Sequence, residues 1–256
     1  MGWLFNELLY RPLFNSMVFF YNTIPGANIG LAIILTTLLV RVLMIPLYRA
    51  SIKSQRELTI IQPIVKELQV KYKDDRQQLS EELLKAYKEH NVNPFAGIML
   101  LIVQIPVLIA IYQVSLNIFK PETYPALYSF ITLPESFNPT FWGLLNVSDS
   151  RNVILAILVG LSQYYQIKLI MKRTQPSKPK VKDTKKSKKK NSNKQEEPDF
   201  ATTLNKQMMF LMPILVTGFA YSLPAAMSLY WITTTVFTIG QEFFLIKQVD
   251  KAEGIK

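Results

Sequence analysis

Five long apolar runs constrain this chain more than any other feature of its sequence. They lie at 28–48, 95–117, 152–171, 207–222 and 225–246, and a helix needs roughly 17 to 25 residues to cross a bilayer. Of the 256 residues 49% are hydrophobic, yet the formal net charge is +11. Because a soluble domain of this size rarely combines the two, we predict an all-α polytopic membrane protein with five transmembrane helices.

Lysine and arginine fall almost entirely on one side of the predicted spans. Residues 1–27 and 118–151 hold three of the 29, whereas the segments 49–94, 168–206 and 247–256 hold 25. The positive-inside rule therefore predicts that the N-terminus and the loop at 118–151 lie outside the cell. It places the C-terminal tail, 247–256, in the cytoplasm, which agrees with an odd number of spans.

The N-terminal segment, 1–27, is predicted to be an amphipathic helix in the membrane interface on the extracytoplasmic side. Its apolar residues recur at helical spacing: Trp3, Leu4, Leu8, Leu9, Phe14, Met17, Val18 and Tyr21. A sixth span cut short by Pro12 is the alternative. The polar residues Asn6, Glu7, Arg11 and Asn15 favour the interfacial helix.

The first cytoplasmic segment, 49–94, is predicted to fold as a helical hairpin. Its apolar residues follow helical spacing in two blocks, separated by Asp74 and Asp75. Asp75 has the character of a helix cap, with Gln78 three residues later. Nine basic and seven acidic residues nearly balance, which indicates a folded, protruding element rather than an electrostatic tail.

The second cytoplasmic segment, 172–206, is rich in Lys, Ser and Pro and poor in apolar residues. This composition predicts a disordered loop. Two interpretations of its lysines stay open. They fix topology and attract anionic lipid, or they contact the phosphates of ribosomal RNA.

Chemical catalysis has no support in the sequence. The chain contains no cysteine, which excludes disulfides, thiolate metal sites and cysteine nucleophiles. The single histidine, His90, lies on the predicted hairpin without a partner, and no phosphate-binding glycine loop or pair of intramembrane carboxylates occurs. Glu242 is the one acidic residue in a predicted span, near its cytoplasmic end. We expect a protein that is not an enzyme, with no cofactor and no metal site.

A single arginine stands within the first span, in the stretch LAIILTTLLVRVLMIPLY. A charge at the bilayer centre costs about 2.5 to 3.5 kcal/mol on insertion-derived scales. Arg41 lies about two turns from the cytoplasmic end, so one interpretation is that it snorkels to the surface. The other interpretation is that Arg41 lines a hydrated groove.

Polar residues of the other spans favour the groove. Thr37 lies one turn before Arg41, two glutamines share a face of the third span, and Trp231 shares a face with Thr234 and Thr235. Because no mid-membrane acid neutralises the guanidinium, water or a visiting anion is its simplest partner. The predicted groove residues are Arg41, Thr37, Gln163, Gln166, Trp231 and Thr234. Gln104 precedes Pro106 by two residues and is expected instead to pair with the backbone that the proline disturbs.

Four sequence blocks resemble the YidC family of membrane-protein insertases, which includes the mitochondrial oxidase-assembly and chloroplast Albino proteins. They are LLVRVLMIPL, SQYYQIK, LMPILVTGFAYSLPAAMSLYW and the long block IQPIVKELQVKYKDDRQQLSEELLKAYKEHNVNPFAGIMLLIVQIPVLIAIY. With the spacing of the spans they cover nearly all of residues 20–246. One departure is ITTT after YW, where the family commonly has an asparagine a few residues on.

The resemblance implies a five-helix core with a cytoplasmic hairpin and a hydrophilic groove open to the cytoplasm and to lipid. Arg41 would receive hydrophilic or acidic parts of a nascent membrane protein, and Thr37, Gln166 and Trp231 fall at other groove positions of the family. Gln163 is added from helical spacing alone. The implied protein is an insertase and chaperone of the bacterial inner membrane, with nascent membrane proteins, lipids, the ribosome and possible contact with the general translocon as its partners.

Two other function classes compete with this interpretation. A small transporter or channel would use Arg41 as an anion site, although the chain lacks the internal repeat that many transporters show. A receptor that docks ribosomes without inserting proteins is the second. Insertion of a short client by the purified protein in liposomes separates these classes.

Overall fold

The computed structural model describes residues 2–26, 28–93, 96–174 and 200–252. The helices are α1 (Trp3–Phe5), a π-helical turn (Asn6–Tyr10), α2 (Arg11–Thr23), α3 (Ile29–Leu43), α4 (Ile45–Lys71), α5 (Arg76–Glu89), α6 (Ala96–Asn117), a 3₁₀ helix (Pro121–Ala126), α7 (Val153–Thr174), α8 (Phe200–Ser222) and α9 (Ala225–Ala252). Two strands, β1 (Thr140–Phe141) and β2 (Leu145–Asn146), form an antiparallel pair. Residues 175–199, most of the predicted lysine-rich loop, lie outside the described residues.

The predicted helical class is confirmed, since the described residues are mostly helical and their strands are this one short pair. The helices α6, α7, α8 and α9 cover the apolar runs predicted at 95–117, 152–171, 207–222 and 225–246. The last two helices are longer than their runs: α8 begins seven residues earlier and α9 continues six residues further.

Length and apolarity single out fewer membrane spans than the five predicted. Among the described residues, Val153–Met171 of α7 passes as a span by itself, and α3 with α4 passes as a bent pair. Shorter apolar stretches occur at Ile102–Asn117 and Met209–Ser222. Polar residues between Thr233 and Glu242 lower the mean hydropathy of α9. The five-span arrangement therefore stays a prediction.

The first predicted span, 28–48, is not one straight helix. The helix α3 begins at Ile29 and ends at Leu43, and it is capped by Asn28, whose side chain accepts a hydrogen bond from the backbone N–H of Leu31 (3.1 Å). The helix α4 starts at Ile45 at an angle of 57° to α3. Pro46 is the physical reason, because it has no N–H to continue the helix and its ring would clash with the carbonyl of Val42.

The N-terminal segment also differs from the prediction. The π-helical turn before Pro12 lets the helical path continue from α1 into α2. The predicted apolar face of α2 does not point to lipid, because α2 packs against α3 and α6. Its buried side chains are Phe14, Met17, Val18 and Tyr21. Trp3, Leu4 and Leu8 remain exposed and are the part of the segment that fits an interfacial location.

The predicted hairpin segment contains α4 and α5, which contact each other across the turn at 72–75. The carboxylate of Asp75 accepts a hydrogen bond from the backbone N–H of Gln78 at 2.9 Å, which confirms the predicted cap. The helix α4 also packs along α6. The hairpin is thus anchored to the helix bundle through its first helix.

The segment between α6 and α7 covers one end of the bundle. The ring of Phe141 lies so close to Gly30 that a side chain at Gly30 would clash with it. The backbone N–H of Ala226 donates to the carbonyl of Val147 (2.9 Å), and that of Arg151 donates to Tyr221 (2.8 Å). These contacts place the segment 140–151 at the beginning of α3 and α9 and the end of α8.

The main hydrophobic core is built from α2, α3, α6 and α9, with Phe14, Ile111 and Met227 among its fully buried residues. A smaller cluster, Ala156, Val159 and Ala220, joins α7 to α8. Trp231 of α9 packs against both. Because α9 contacts α3, α6, α7 and α8, it is the element that brings polar residues of different helices together.

Candidate functional site

Arg41 lies in the last turn of α3, and its side chain is half-buried. A cation is favoured at this end of a helix by the helix dipole. Within the described residues its guanidinium forms neither an ion pair nor a hydrogen bond. The charged or polar groups acting on it are the hydroxyls of Tyr230 on α9 and Tyr48 on α4. The guanidinium thus has tyrosine hydroxyls as neighbours, and within the described residues no carboxylate forms an ion pair with it.

Both tyrosines belong to buried hydrogen bonds between helices. The side-chain amide of Gln104 on α6 donates to the hydroxyl of Tyr230. The hydroxyl of Tyr48 donates to Oε1 of Glu242 on α9 at 2.9 Å. Arg41 therefore sits between two polar links, one joining α6 to α9 and one joining α4 to α9.

The helix faces around Arg41 carry buried hydroxyls. Thr37 donates to the carbonyl of Ile33 at 2.7 Å, and Thr238 donates to that of Thr234 at 2.8 Å. Three further hydroxyls are buried without a hydrogen bond within the described residues: Thr36, Ser228 and Thr234. A buried hydroxyl left without a partner costs about 1 to 3 kcal/mol. These hydroxyls therefore leave hydrogen-bonding capacity that no bond within the described residues satisfies.

The six predicted groove residues are not equivalent in the structure. Arg41 and Thr37 stand on α3 and Thr234 stands on α9, which packs against α3, but Thr37 is only 1% exposed and its hydroxyl is bonded to its own helix. Thr37 therefore supports the packing beneath Arg41 and does not face a ligand directly. Thr234, at 9% exposed, lies only slightly nearer the surface.

The remaining predicted residues lie toward α7 and are half-buried. Trp231 packs between the main core and the cluster on α7 and α8. Gln163 and Gln166 stand on α7, which contacts α9. Within the described residues, neither glutamine forms a hydrogen bond with Arg41. The structure thus joins α3 and α9 at the site, and leaves the glutamines of α7 as a separate flank.

Sequence reasoning missed part of this cluster. Gln104 was expected to satisfy backbone groups near Pro106, which is wrong, because its amide reaches the hydroxyl of Tyr230. Tyr230 lies four residues before Thr234, one helical turn away, and that spacing was a usable signal. The pairing of Tyr48 with Glu242 joins residues 194 positions apart, and no local pattern reveals it.

Comparison with known proteins identifies the family. The family model described as 60Kd inner membrane protein matches residues 19–252. The chain belongs to the 60Kd inner membrane protein family. The predicted resemblance to YidC proteins is thereby confirmed.

Relatives of this family are similar along almost the whole chain. The membrane protein insertase YidC of Oleidesulfovibrio alaskensis is 29% identical over 96% of this chain and 39% of its own length. That of Geobacter sulfurreducens is 28% identical over 99% of this chain and 40% of its own length. The chain thus spans about two fifths of these relatives.

A solved structure of a family member has the same fold. It is titled "Active YidC insertase crystal structure with the first transmembrane domain resolved", and it aligns with a TM-score of 0.57. The two are 22% identical, and the alignment covers 95% of this chain and 47% of the other. The helical arrangement is therefore that of the family.

Proposed function

We propose that this chain is a membrane-protein insertase and membrane chaperone, and not an enzyme. The observation that carries the proposal is Arg41, a half-buried guanidinium beside the hydroxyls of Tyr48 and Tyr230 that forms no ion pair within the described residues. In a chain whose relatives are named insertases, such a cation is suited to receive the acidic or polar part of a client.

The proposed mechanism lowers the cost of carrying polar chain into the membrane. An anionic client segment that leaves water loses its hydration, and a nearby guanidinium offsets part of that loss. The surrounding hydroxyls of Tyr48 and Tyr230 are further hydrogen-bonding groups near the same point. The client's apolar helix then partitions into lipid because its burial there is favourable, and no nucleotide is required.

The proposed groove is bounded by α3 and α9, with α7 as its flank. Arg41, Gln163, Gln166 and Trp231 are half-buried and are proposed to contact the client. Thr37 and Thr234 support this surface from within.

The proposed topology has five spans, formed by α3, α6, α7, α8 and α9, in the bacterial inner membrane. The N-terminus and the segment 118–151 lie outside, and the hairpin α4–α5 with the C-terminus lies in the cytoplasm. The family's description as an inner membrane protein and the one-sided distribution of lysine and arginine support this arrangement.

Partners follow from the same topology. Nascent membrane proteins and lipids are the direct ones, and the ribosome is proposed to contact the hairpin and the lysine-rich segment 172–206. The general translocon is a further proposed partner.

Reconstitution of the full chain in liposomes tests the proposal. Wild-type protein is expected to insert a short client with an acidic outer tail. Arg41→Lys should keep part of this activity, and Arg41→Glu should abolish it while the protein stays in the membrane. The control is a client with an uncharged tail, for which the Glu variant should lose less activity. Equal insertion of the acidic client by the Glu variant would refute the role of Arg41.

A further inference from the structure

A cavity lies on the outer surface of the bundle, beside the bend between α3 and α4. It has a volume of about 300 Å³ and is mostly apolar. Its lining residues are Ile45, Arg49, Phe237, Gly240, Gln241 and Phe244. We call this cavity the bend hollow. It is distinct from the Arg41 site, whose groups are Tyr48, Gln104, Tyr230 and Glu242.

Two local features create the bend hollow. The helix α3 packs along α9, but the 57° bend after it directs α4 toward α6. The face of α9 beyond this point is therefore left partly uncovered. Gly240 then deepens the opening, since a side chain placed there would meet no atom within 4 Å.

The surroundings of the bend hollow are apolar and exposed. Phe244 is 58% exposed, and Val236 and Phe243 on the same helix, α9, are exposed as well. Apolar side chains that face outward on membrane helices are solvated by hydrocarbon. The opening is therefore continuous with a surface suited to acyl chains.

One cation stands at the edge of the bend hollow. Arg49 is exposed, and within the described residues its guanidinium forms no ion pair. A guanidinium binds phosphate through paired, charge-assisted hydrogen bonds. The side chain of Gln241 offers a further hydrogen-bonding group from α9.

The depth of the bend hollow fits the cytoplasmic leaflet. Gly240 lies 15 residues beyond the first residue of α9, or about 22 Å along a helix that rises about 1.5 Å per residue. The hydrocarbon core of a bilayer is about 30 Å thick. With the N-terminal end of α9 outside, as in the proposed topology, Phe237 and Phe244 lie at inner-leaflet depth and Arg49 reaches the headgroup level.

We propose that the bend hollow binds one anionic phospholipid of the inner leaflet. An acyl chain occupies the space over Gly240 between Phe237 and Phe244, and the lipid phosphate pairs with Arg49. The combination of an apolar cavity with an unpaired cation at its edge selects this ligand over a free phosphate ion, which would gain nothing from the aromatic lining. The bound lipid fills the gap that the bend leaves between α4 and α9.

Native mass spectrometry of the full chain in a neutral detergent tests the proposal. Phosphatidylglycerol and phosphatidylcholine are titrated separately, and the affinity of the first bound lipid is compared. Both lipids carry the phosphate, but the quaternary ammonium of phosphatidylcholine opposes its attraction to the cationic Arg49, so wild-type protein should bind phosphatidylglycerol about tenfold more tightly. Because no client is inserted in this measurement, the lipid site and the proposed insertase activity can fail independently.

Three variants make the result specific. Arg49→Gln should remove the preference for phosphatidylglycerol, and Arg49→Lys should keep most of it. Gly240→Leu, which fills the cavity, should weaken the first binding of both lipids by a similar factor. The matched control is Lys53→Gln, one turn further along α4, where Lys53 approaches Glu57 at 4.0 Å and lies outside the hollow; it should behave as wild type.

Each other outcome overturns the proposal. An unchanged phosphatidylglycerol preference in Arg49→Gln removes the headgroup contact. Unchanged lipid binding in Gly240→Leu, together with competition by inorganic phosphate, makes the ligand a free anion. Displacement of the lipid by an acidic client peptide, without any headgroup preference, assigns the hollow to the client. If the Arg49 variants do not fold, Gly240→Leu alone decides between an occupied and an unused cavity.

Discussion

The hydrogen bond between Tyr48 and Glu242 yields the most quantitative prediction, because both residues are buried and they join two helices. Glu242 is 2% exposed, and the Tyr48 hydroxyl lies 2.9 Å from its Oε1. Tyr48→Phe removes the donor and leaves a buried carboxyl oxygen without this bond. The expected cost is about 2 kcal/mol of unfolding free energy, within the usual range for a buried group deprived of its partner.

The assay is a thermal unfolding series in detergent at one heating rate. For a chain of this size, 1 kcal/mol corresponds to roughly 2 to 4 °C, so Tyr48→Phe should lower the midpoint by roughly 4 to 8 °C. Glu242→Met removes the acceptor and should also destabilise the protein. The double variant leaves no unpaired member of this bond, and it should be more stable than the sum of the single effects by at least about 1 kcal/mol.

The matched control for this series is Tyr165→Phe on α7, since Tyr165 is 49% exposed and forms no side-chain hydrogen bond within the described residues. Its midpoint should stay within about 1 °C of wild type. Additive effects of Tyr48→Phe and Glu242→Met, within about 0.5 kcal/mol, would refute the reasoning. In that case the two side chains would contribute independently, and the bond would not hold α4 to α9.

Three further predictions concern other parts of the molecule. Gln104→Leu should lower the thermal midpoint by the equivalent of about 1 to 3 kcal/mol, because it removes the amide that donates to the buried Tyr230 hydroxyl; a midpoint equal to wild type would contradict this. Gly30→Val should destabilise the protein by a similar amount through its clash with Phe141, and Phe141→Ala should restore part of the loss in the double variant. Deletion of 178–194 should weaken ribosome binding and flatten its salt dependence, measured by co-sedimentation; unchanged binding at low salt would leave that segment with a topological role only.

Local sequence patterns predicted where the helices lie, but they did not predict which residues of other helices each one contacts. The apolar runs located α6 and α7 to within three residues at each end, and Asp75 was recognised as a cap from its spacing to Gln78. Such features depend on neighbours along the chain, which a sequence displays directly. The end of α3 was missed although Pro46 was visible, because the length of the apolar run was given more weight than the proline.

The amphipathic pattern of α2 shows a different limit. Periodicity identified Phe14, Met17 and Val18 as one apolar face, but it could not say whether lipid or protein covers that face. The structure places these side chains in the main core. The same limit applies to Gln104 and Glu242, whose partners lie 126 and 194 residues away in sequence.

The candidate site was predicted in outline from one residue. An arginine in an apolar run demands a partner or water, and that argument located Arg41 before any contact was known. The helical spacing that added Thr37 identified its face correctly but not its depth, because burial depends on how closely α3 approaches α9. Tyr230 and Tyr48 were not selected, since tyrosines are common in membrane helices and carry no charge to attract notice.

The proposed groove beside Arg41 is hydrated and opens to the cytoplasm. The accessibility of thiols placed in it tests this most directly. The chain has no cysteine of its own, so Gln166→Cys and Leu158→Cys on α7 provide a groove position and a lipid-facing control. A membrane-impermeant thiol reagent should modify the Gln166 variant rapidly in inside-out vesicles and slowly in right-side-out vesicles. The Leu158 variant should be protected in both, because a thiol in hydrocarbon stays protonated and unreactive. Protection of the Gln166 variant from both sides would contradict the groove and leave Arg41 as a snorkelling residue of a dry bundle, and modification from the outside alone would invert the proposed topology.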